Sequence, residues 1–256
     1  MLQNKLMLND GKTEFLIIGT RQQLVKVSAD HITVGNAEVK SSSGARNLGV
    51  WFDNVLNMEN HVTRMCKSSF YYLYNLRKIR KYLSKQTTEK LVHAFVTSRL
   101  DYCNSLLYGM PACLINKLQR VQNAAARLIT KSSRFEHINP TLYDLHWLPV
   151  RYRINFKILM IVHKCVYGNA PSYLKDLVSV KVASRYYTRS DDMGLLLILP
   201  SFKSMATLGD RSFSLAAPTL WNILPINIRE TKDIAIFKSI LKTYFFKLAF
   251  KQNIVS

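Results

Sequence analysis

Acidic residues are scarce in this 256-residue chain, which has 16 Asp and Glu against 36 Lys and Arg and a formal net charge of +20. The imbalance lies in the middle, because residues 61–189 contain 22 basic and 5 acidic residues, whereas residues 1–60 contain 6 of each. A charge of this size exceeds what solubility requires and favours phosphate-rich partners. The composition therefore predicts an anionic partner for the middle of the chain.

Cysteine and long apolar runs are also scarce. The four cysteines, Cys66, Cys103, Cys113 and Cys165, form no C-x-x-C pair and show no zinc-ligand spacing. Buried, reduced thiols are the simplest interpretation, and they predict an intracellular protein, in the cytoplasm or the nucleus, that is not secreted. No signal peptide is evident, and the longest strongly apolar run, residues 195–199, is far too short to span a bilayer.

Signatures of catalysis are missing as well. Asp191 and Asp192 are the only paired carboxylates in a suggestive setting, but the further carboxylate of a two-magnesium site is not evident, which favours a solvated turn. The histidines show no i, i+4 pairing, and no phosphate-binding glycine loop, dinucleotide fingerprint or nucleophile elbow occurs. The residues by themselves predict neither a metal site nor an enzyme.

Hydrophobic periodicity predicts an α+β fold, with a small N-terminal β-sheet, a mainly α-helical middle and a mixed, less regular C-terminal region. Strands are expected at residues 13–19, 32–34, 37–39 and 46–53, with a tight turn at 35–36. From about residue 60 the apolar spacing becomes helical. Ser84 is expected to cap one helix and Pro149 to begin another.

Two helical patterns carry specific expectations. In the helix after Ser84, the residues that recur at helical spacing and are expected to face the core include Leu91, Phe95, Tyr102 and Leu106. Residues 114–131 show an apolar face, a polar face with Asn116 and Gln119, and a basic stripe. The stripe consists of Lys117, Arg120, Arg127 and Lys131. Phosphate contact and an ordinary solvated surface both remain open for this stripe.

Basic and aromatic residues interleave in residues 70–83, 150–157 and 184–189. Lysine and arginine neutralise phosphates, and exposed rings stack on bases, so the pattern favours nucleic-acid binding. The alternative is that rings such as Tyr72 and Phe156 lie in the core and only the charges face water. The densest charge run adds four candidate contacts, Arg77, Lys78, Arg80 and Lys81.

Several segments together resemble the C-terminal part of the reverse transcriptase, an RNA-directed DNA polymerase, of non-LTR retrotransposons (LINE elements) of the jockey and chicken-repeat type. The resemblance spans nearly the whole chain, and the segments that carry it, spread from residue 4 to residue 225, read NKLMLNDGKTEFLIIGT, SGARNLGVWFD, HAFVTSRLDYCNSLLYGMP, LQRVQNAAARLITK, LHWLPVRYRINFKILMIVHKCVYGNAPSYLKDL and GDRSFSLAAPTLWNILP. The most specific are SRLDYCNSLLYG and LHWLPV.

The resemblance implies a division into a palm remnant at residues 1–58, a helical thumb-like region at 59–135 and a C-terminal extension at 136–256. Lys12 matches a lysine proposed to assist phosphoryl transfer, and Leu48, Gly49 and Val50 match the primer-grip hairpin. The family's thumb tracks the backbones of primer and template. This implies sequence-independent contacts to RNA or DNA backbones.

The chain departs from the family pattern in lacking the aromatic-Ala-Asp-Asp motif and the palm strand with the first metal-binding aspartate. Two-metal phosphoryl transfer requires those carboxylates, so Mg²⁺ is expected only for a complete polymerase. We therefore expect an inactive fragment of a mobile-element polymerase that retains nonspecific nucleic-acid binding. The alternative is a basic helical binding or scaffold protein derived from such an element, with a protein or an anionic membrane surface as its partner.

Overall fold

The computed structural model describes residue 9 and residues 12–35, 37–178, 195–196 and 209–251. Contacts divide the chain into two units, residues 1–64 and residues 65–256. The fold is α+β, as the sequence predicts, with small sheets in the first unit and mainly helices in the second. The boundaries expected at residues 58 and 135 stay predictions.

The described residues of the first unit form two small sheets. Its elements are β1 (Phe15–Leu16), α1 (Arg21–Leu24), β2 (His31–Val34), β3 (Ala37–Ser42), β4 (Gly44–Asn47) and β5 (Val50–Asp53). One sheet has the order β1-β3-β2, in which β1 is parallel and β2 antiparallel to β3, and the other pairs β4 with β5. The hairpin predicted around residues 35–36 is confirmed, because Val34 pairs with Ala37.

The single strand predicted at residues 46–53 is wrong, because two strands meet there in a tight hairpin. Asn47 pairs with Val50, and the two residues between them, Leu48 and Gly49, have φ angles of 46° and 84°. Positive φ at both central positions gives the turn that matches the right-handed twist of paired strands. The residue pattern does not predict this turn, because Leu48, rather than Asn or Asp, precedes the glycine.

Helix α2 spans Glu59–Ile79, so the division between the units falls inside it. A 3₁₀ turn follows at Arg80–Tyr82, and then α3 (Lys85–Val92), α4 (Ser98–Asp101), α5 (Ala112–Thr130), α6 (Ile138–Asp144), α7 (Val150–Val166), α8 (Ser172–Lys175), α9 (Phe213–Asn222), α10 (Ile226–Arg229) and α11 (Ile234–Ala249). Both predicted helix starts are confirmed. Ser84 Oγ accepts the Thr87 N–H at 3.1 Å, and Pro149 directly precedes α7.

Helix α7 lies at the centre of the second unit, where it packs against α5, α9 and α11. Its Leu159 and Val162 are fully buried, and α9 and α11 contribute the large buried rings of Trp221 and Phe237. The longer helices thus surround α7 because its apolar residues are spread around most of its circumference.

The core face predicted for the helix after Ser84 is wrong. Phe95, Tyr102 and Leu106 are 40%, 52% and 44% exposed. The residues buried instead are Val92, Val96, Leu100 and Leu107. Residues His93–Thr97 form a π-helical turn and α4 ends at Asp101. A π turn widens the repeat, so extrapolation at 3.6 residues per turn selects the wrong side.

Candidate nucleic-acid interface

Helix α2 presents an exposed face built from basic and aromatic residues. Lys67, Tyr71, Tyr74 and Lys78 follow one another at i, i+4, i+7 and i+11 and therefore lie in one stripe along the helix. Phe70 and Arg77 flank this stripe and are also exposed. We call these six residues the basic–aromatic face. The opposite side of the helix is buried through Met65, Ser69, Leu73 and Leu76.

Two aromatic rings of this region, those of Tyr74 and Tyr82, lie next to ammonium groups. Lys78 Nζ is 4.5 Å from the ring centroid of Tyr74, and in the following turn Lys81 Nζ is 4.8 Å from the ring centroid of Tyr82. Between Glu59 and Glu89 the chain has seven basic residues and no acidic one. The segment thus offers a concentrated positive field beside exposed rings.

Tyr72 has a different role, in agreement with the interpretation that places it in the core. Its ring is half-buried and stacks on Phe95 at 5.1 Å with an interplanar angle of 12°. The Arg99 guanidinium lies 4.9 Å from the Tyr72 ring and donates a 3.3 Å hydrogen bond to its hydroxyl. Tyr72 thus fastens α2 to the π-helical turn and α4.

Arg80 lies in the dense charge run, but its guanidinium makes hydrogen bonds within the fold. Its Nε and Nη2 donate to the carbonyl oxygens of Leu128 and Ile129 at 2.8 and 2.9 Å, and its Nη1 donates to that of Leu83 at 2.8 Å. The carbonyls at the end of a helix have no partner within the helix. Arg80 therefore supplies donors to the last turn of α5.

The basic stripe predicted on α5 likewise contains both a residue that makes hydrogen bonds within the fold and residues that are exposed. Arg127 donates from Nε to the carbonyl oxygen of Ser133 at 3.1 Å and from Nη2 to that of Glu136 at 3.0 Å, which holds the loop before α6. Arg120 and Lys131 are exposed, and Lys117 is half-buried. Lys131 ends the helix in the left-handed conformation, with φ of 59°.

The candidate residues of the first unit occupy several environments. Lys12 is exposed ahead of β1. Leu48 is 82% exposed at the tip of the β4–β5 hairpin, Gly49 completes the turn, and Val50 is 2% exposed beneath it.

Lys67 is not among the contacts predicted from the sequence, because it lies outside the dense charge run, yet it is part of the basic–aromatic face. Its signal was already present in the sequence, because Lys67 stands four residues before Tyr71 and eleven before Lys78. The helical spacing, rather than local charge density, identifies it.

The cysteines are free thiols, and their burial varies. The expectation of buried thiols is confirmed for Cys165 and wrong for the exposed Cys113. Burial raises the pKa of the Cys66 and Cys165 thiols, which disfavours the nucleophilic thiolate at neutral pH.

Within the described ranges, no group of three or more His, Cys, Asp or Glu side chains converges to hold a metal ion. Asp191, Asp192 and the segment 184–189 lie outside those ranges. None of the described helices combines the length and the apolar character needed to cross a membrane.

Comparison with protein families, curated proteins and solved structures finds no match for this chain. The resemblance to reverse transcriptases therefore depends on the sequence segments quoted above.

Proposed function

We propose that this chain binds the phosphate backbone of RNA or DNA without sequence preference. The basic–aromatic face of α2, extended by Lys81, is the main contact, and Arg120 and Lys131 of α5 add further cations. The observation that carries the proposal is the set of exposed cations on one side of α2, in a segment without acidic residues. Each cation that neutralises a phosphate releases condensed counterions, which favours binding at low salt.

The resemblance supports a specific setting for this binding. If the chain is the C-terminal part of a non-LTR reverse transcriptase, α2 to α5 form its thumb-like region, whose role is to hold the backbones of primer and template. Backbone contacts of this kind set position and carry no sequence information. Lysine side chains suit this role because they act as flexible point charges rather than as readers of base edges.

The test is the salt dependence of binding, measured by fluorescence anisotropy with a labelled oligonucleotide from about 50 to about 200 mM salt. We expect affinity to fall steeply as salt rises. Replacement of Lys67, Arg77, Lys78 and Lys81 by Gln should reduce the slope of log affinity against log salt by about 3 to 4.

A matched control removes the same number of charges from another surface. Lys238, Lys242, Lys247 and Lys251 are all exposed and are replaced by Gln together. This control should keep the wild-type slope. An equal loss in the two variants would show that net charge, rather than the α2 face, determines binding.

The alternative of a basic scaffold protein predicts different results. Binding to nucleic acid would then be absent or independent of salt. Retention on vesicles containing phosphatidylserine, without salt-sensitive binding to oligonucleotides, would favour an anionic membrane surface as the partner and would contradict the proposal.

A further inference from the structure

We infer that the strand held at the basic–aromatic face is single-stranded and that its bases stack on Tyr71, Tyr74 and Tyr82. This inference rests on the proposed backbone binding, and it adds that the bound nucleic acid is single-stranded rather than double-stranded.

The exposure of the rings is the first step. Tyr71, Tyr74 and Tyr82 are 63%, 60% and 76% exposed, whereas the neighbouring Tyr72 is half-buried against Phe95. The core of the second unit therefore uses one ring of this segment and leaves these three toward solvent. Exposed rings beside a positively charged path are the feature by which proteins bind unpaired bases, since every base offers a π-face.

The arrangement of rings and charges fits a strand rather than a duplex. From Lys67 to Lys78 the stripe extends about 16 Å, or about five nucleotides at the stacked spacing of about 3.4 Å. Along this length a cation, two rings and a second cation follow one another. In a duplex the base faces are covered by neighbouring base pairs, so the cations could contact phosphates but the rings could not stack on bases.

The ammonium groups place phosphates near the rings. Lys78 Nζ lies 4.5 Å from the Tyr74 ring centroid and Lys81 Nζ lies 4.8 Å from that of Tyr82. Each ammonium group lies over one face of its ring, so a base stacks there by displacing it, and the displaced group can then contact the phosphate of the same nucleotide. Each ring and its lysine can thus contact one nucleotide at two points.

The same charges argue against a protein partner. Lysine is depleted at the cores of protein–protein interfaces, and a face without acidic residues would need a carboxylate from a protein partner for each ammonium group buried there. A single-stranded nucleic acid suits this face, because its phosphates pair with the cations and its flat bases stack on the aromatic rings.

The main experiment compares oligonucleotides on the wild-type chain. The probes are a dT oligonucleotide of about 15 nucleotides, the same backbone without bases, and a duplex of equal length, at one low salt concentration. Removal of the bases should weaken binding about tenfold or more, since stacking contributes substantially for each base. A U oligonucleotide should behave like dT, because the rings contact base faces rather than the sugar.

A triple replacement tests the rings themselves. Tyr71→Leu, Tyr74→Leu and Tyr82→Leu together should reduce affinity for dT about tenfold or more while the duplex affinity and the salt slope stay unchanged. The control is Tyr173→Leu, at an exposed aromatic residue elsewhere. It should bind dT as the wild type does.

The outcomes separate the two proposals. Equal affinity of the wild-type chain for the dT and base-free probes would overturn the stacking inference, and salt-dependent binding would still support backbone contact. Absence of salt-dependent binding to every probe would contradict the proposed function itself. The base-free probe needs no variant, so it decides the inference even if the triple replacement prevents folding.

Discussion

At the scale of single residues, Arg80 and Lys81 are adjacent basic residues with opposite roles. Arg80 is half-buried and donates to three backbone carbonyl oxygens, two of them at the end of α5. Lys81 is exposed and extends over the Tyr82 ring. The planar guanidinium can serve several carbonyls at once, which a single ammonium group cannot reproduce.

We therefore expect Arg80→Gln to lower the free energy of unfolding by about 2 to 4 kcal/mol, because it removes charge-assisted hydrogen bonds and leaves carbonyls without donors. Lys81→Gln should change stability by less than about 0.5 kcal/mol and should lower the salt slope of nucleic-acid binding by about 1. Urea denaturation and anisotropy measure these quantities on the same samples.

Arg80→Lys serves as a second variant, since it keeps the charge and loses the forked geometry. It should also destabilise the fold. Equal stability of the Gln variants at positions 80 and 81 would show that the hydrogen bonds of Arg80 contribute nothing to folding.

At the scale of elements, two glutamines join α5 to the start of α7. Gln122 is 1% exposed, and its Nε2 donates to the Leu148 carbonyl oxygen at 2.8 Å. Gln119 Oε1 accepts the Val150 N–H at 2.9 Å, and its Nε2 donates to Gln122 Oε1 at 3.0 Å. One of the N–H groups at the start of α7, which lacks an intrahelical partner, is thereby satisfied.

We expect Gln122→Leu to lower the free energy of unfolding by about 1 to 3 kcal/mol, because an apolar side chain of similar size leaves the Leu148 carbonyl without its donor. The matched control is Asn116→Leu, the same kind of change at an exposed position of α5. Thermal and urea unfolding compare the two variants. If Gln122→Leu lowered the free energy of unfolding no more than Asn116→Leu does, the structural role of the amide network would be contradicted.

At the scale of the whole molecule, each unit contains a buried histidine that folding keeps neutral. His61 is 8% exposed, and its Nδ1 accepts a long, 3.5 Å hydrogen bond from the Trp51 N–H. His163 is fully buried, with Nε2 2.8 Å from the Thr231 carbonyl oxygen and a buried Nδ1 that has no hydrogen-bond partner. Burial lowers the pKa of both histidines, and for His163 it outweighs the opposing hydrogen bond to Thr231.

The stability of both units should therefore depend on pH. A lowered folded-state pKa means that the unfolded chain binds the proton more readily, so stability is complete above the unfolded pKa of about 6.5. The free energy of unfolding should fall as pH drops below about 6.5 toward the lowered folded-state pKa. Urea denaturation from about pH 7.5 to about pH 5 measures this loss.

His163→Gln should reduce the pH dependence, since Gln can still donate to the Thr231 carbonyl oxygen and does not titrate in this range. His61→Gln tests the first unit in the same way. His137→Gln, at an exposed position, provides the control. Variants at 61 and 163 with the full wild-type pH dependence would show that neither buried ring is responsible.

Local patterns predicted those parts of the fold that neighbouring residues determine. The hairpin at Gly35, the Ser84 cap and the helix start at Pro149 followed from turn and capping chemistry, which acts within a few residues. The predictions around Phe95 and Tyr102 were wrong because a π turn interrupts the regular repeat at His93–Thr97 and the helix ends at Asp101, before Tyr102. Such an interruption leaves no clear signal in hydrophobic spacing.

The sequence by itself determined the excess of positive charge and the helical spacing that aligns Lys67, Tyr71, Tyr74 and Lys78, because both depend only on composition and helix geometry. Only the tertiary structure decided which basic residues remain exposed. Arg80 meets its carbonyl partners across separations of 48 and 49 residues along the chain, a distance over which no local pattern predicts proximity. Packing thus buries part of Arg80 and pairs it with backbone carbonyl oxygens, whereas Lys81, one residue later, is exposed to solvent.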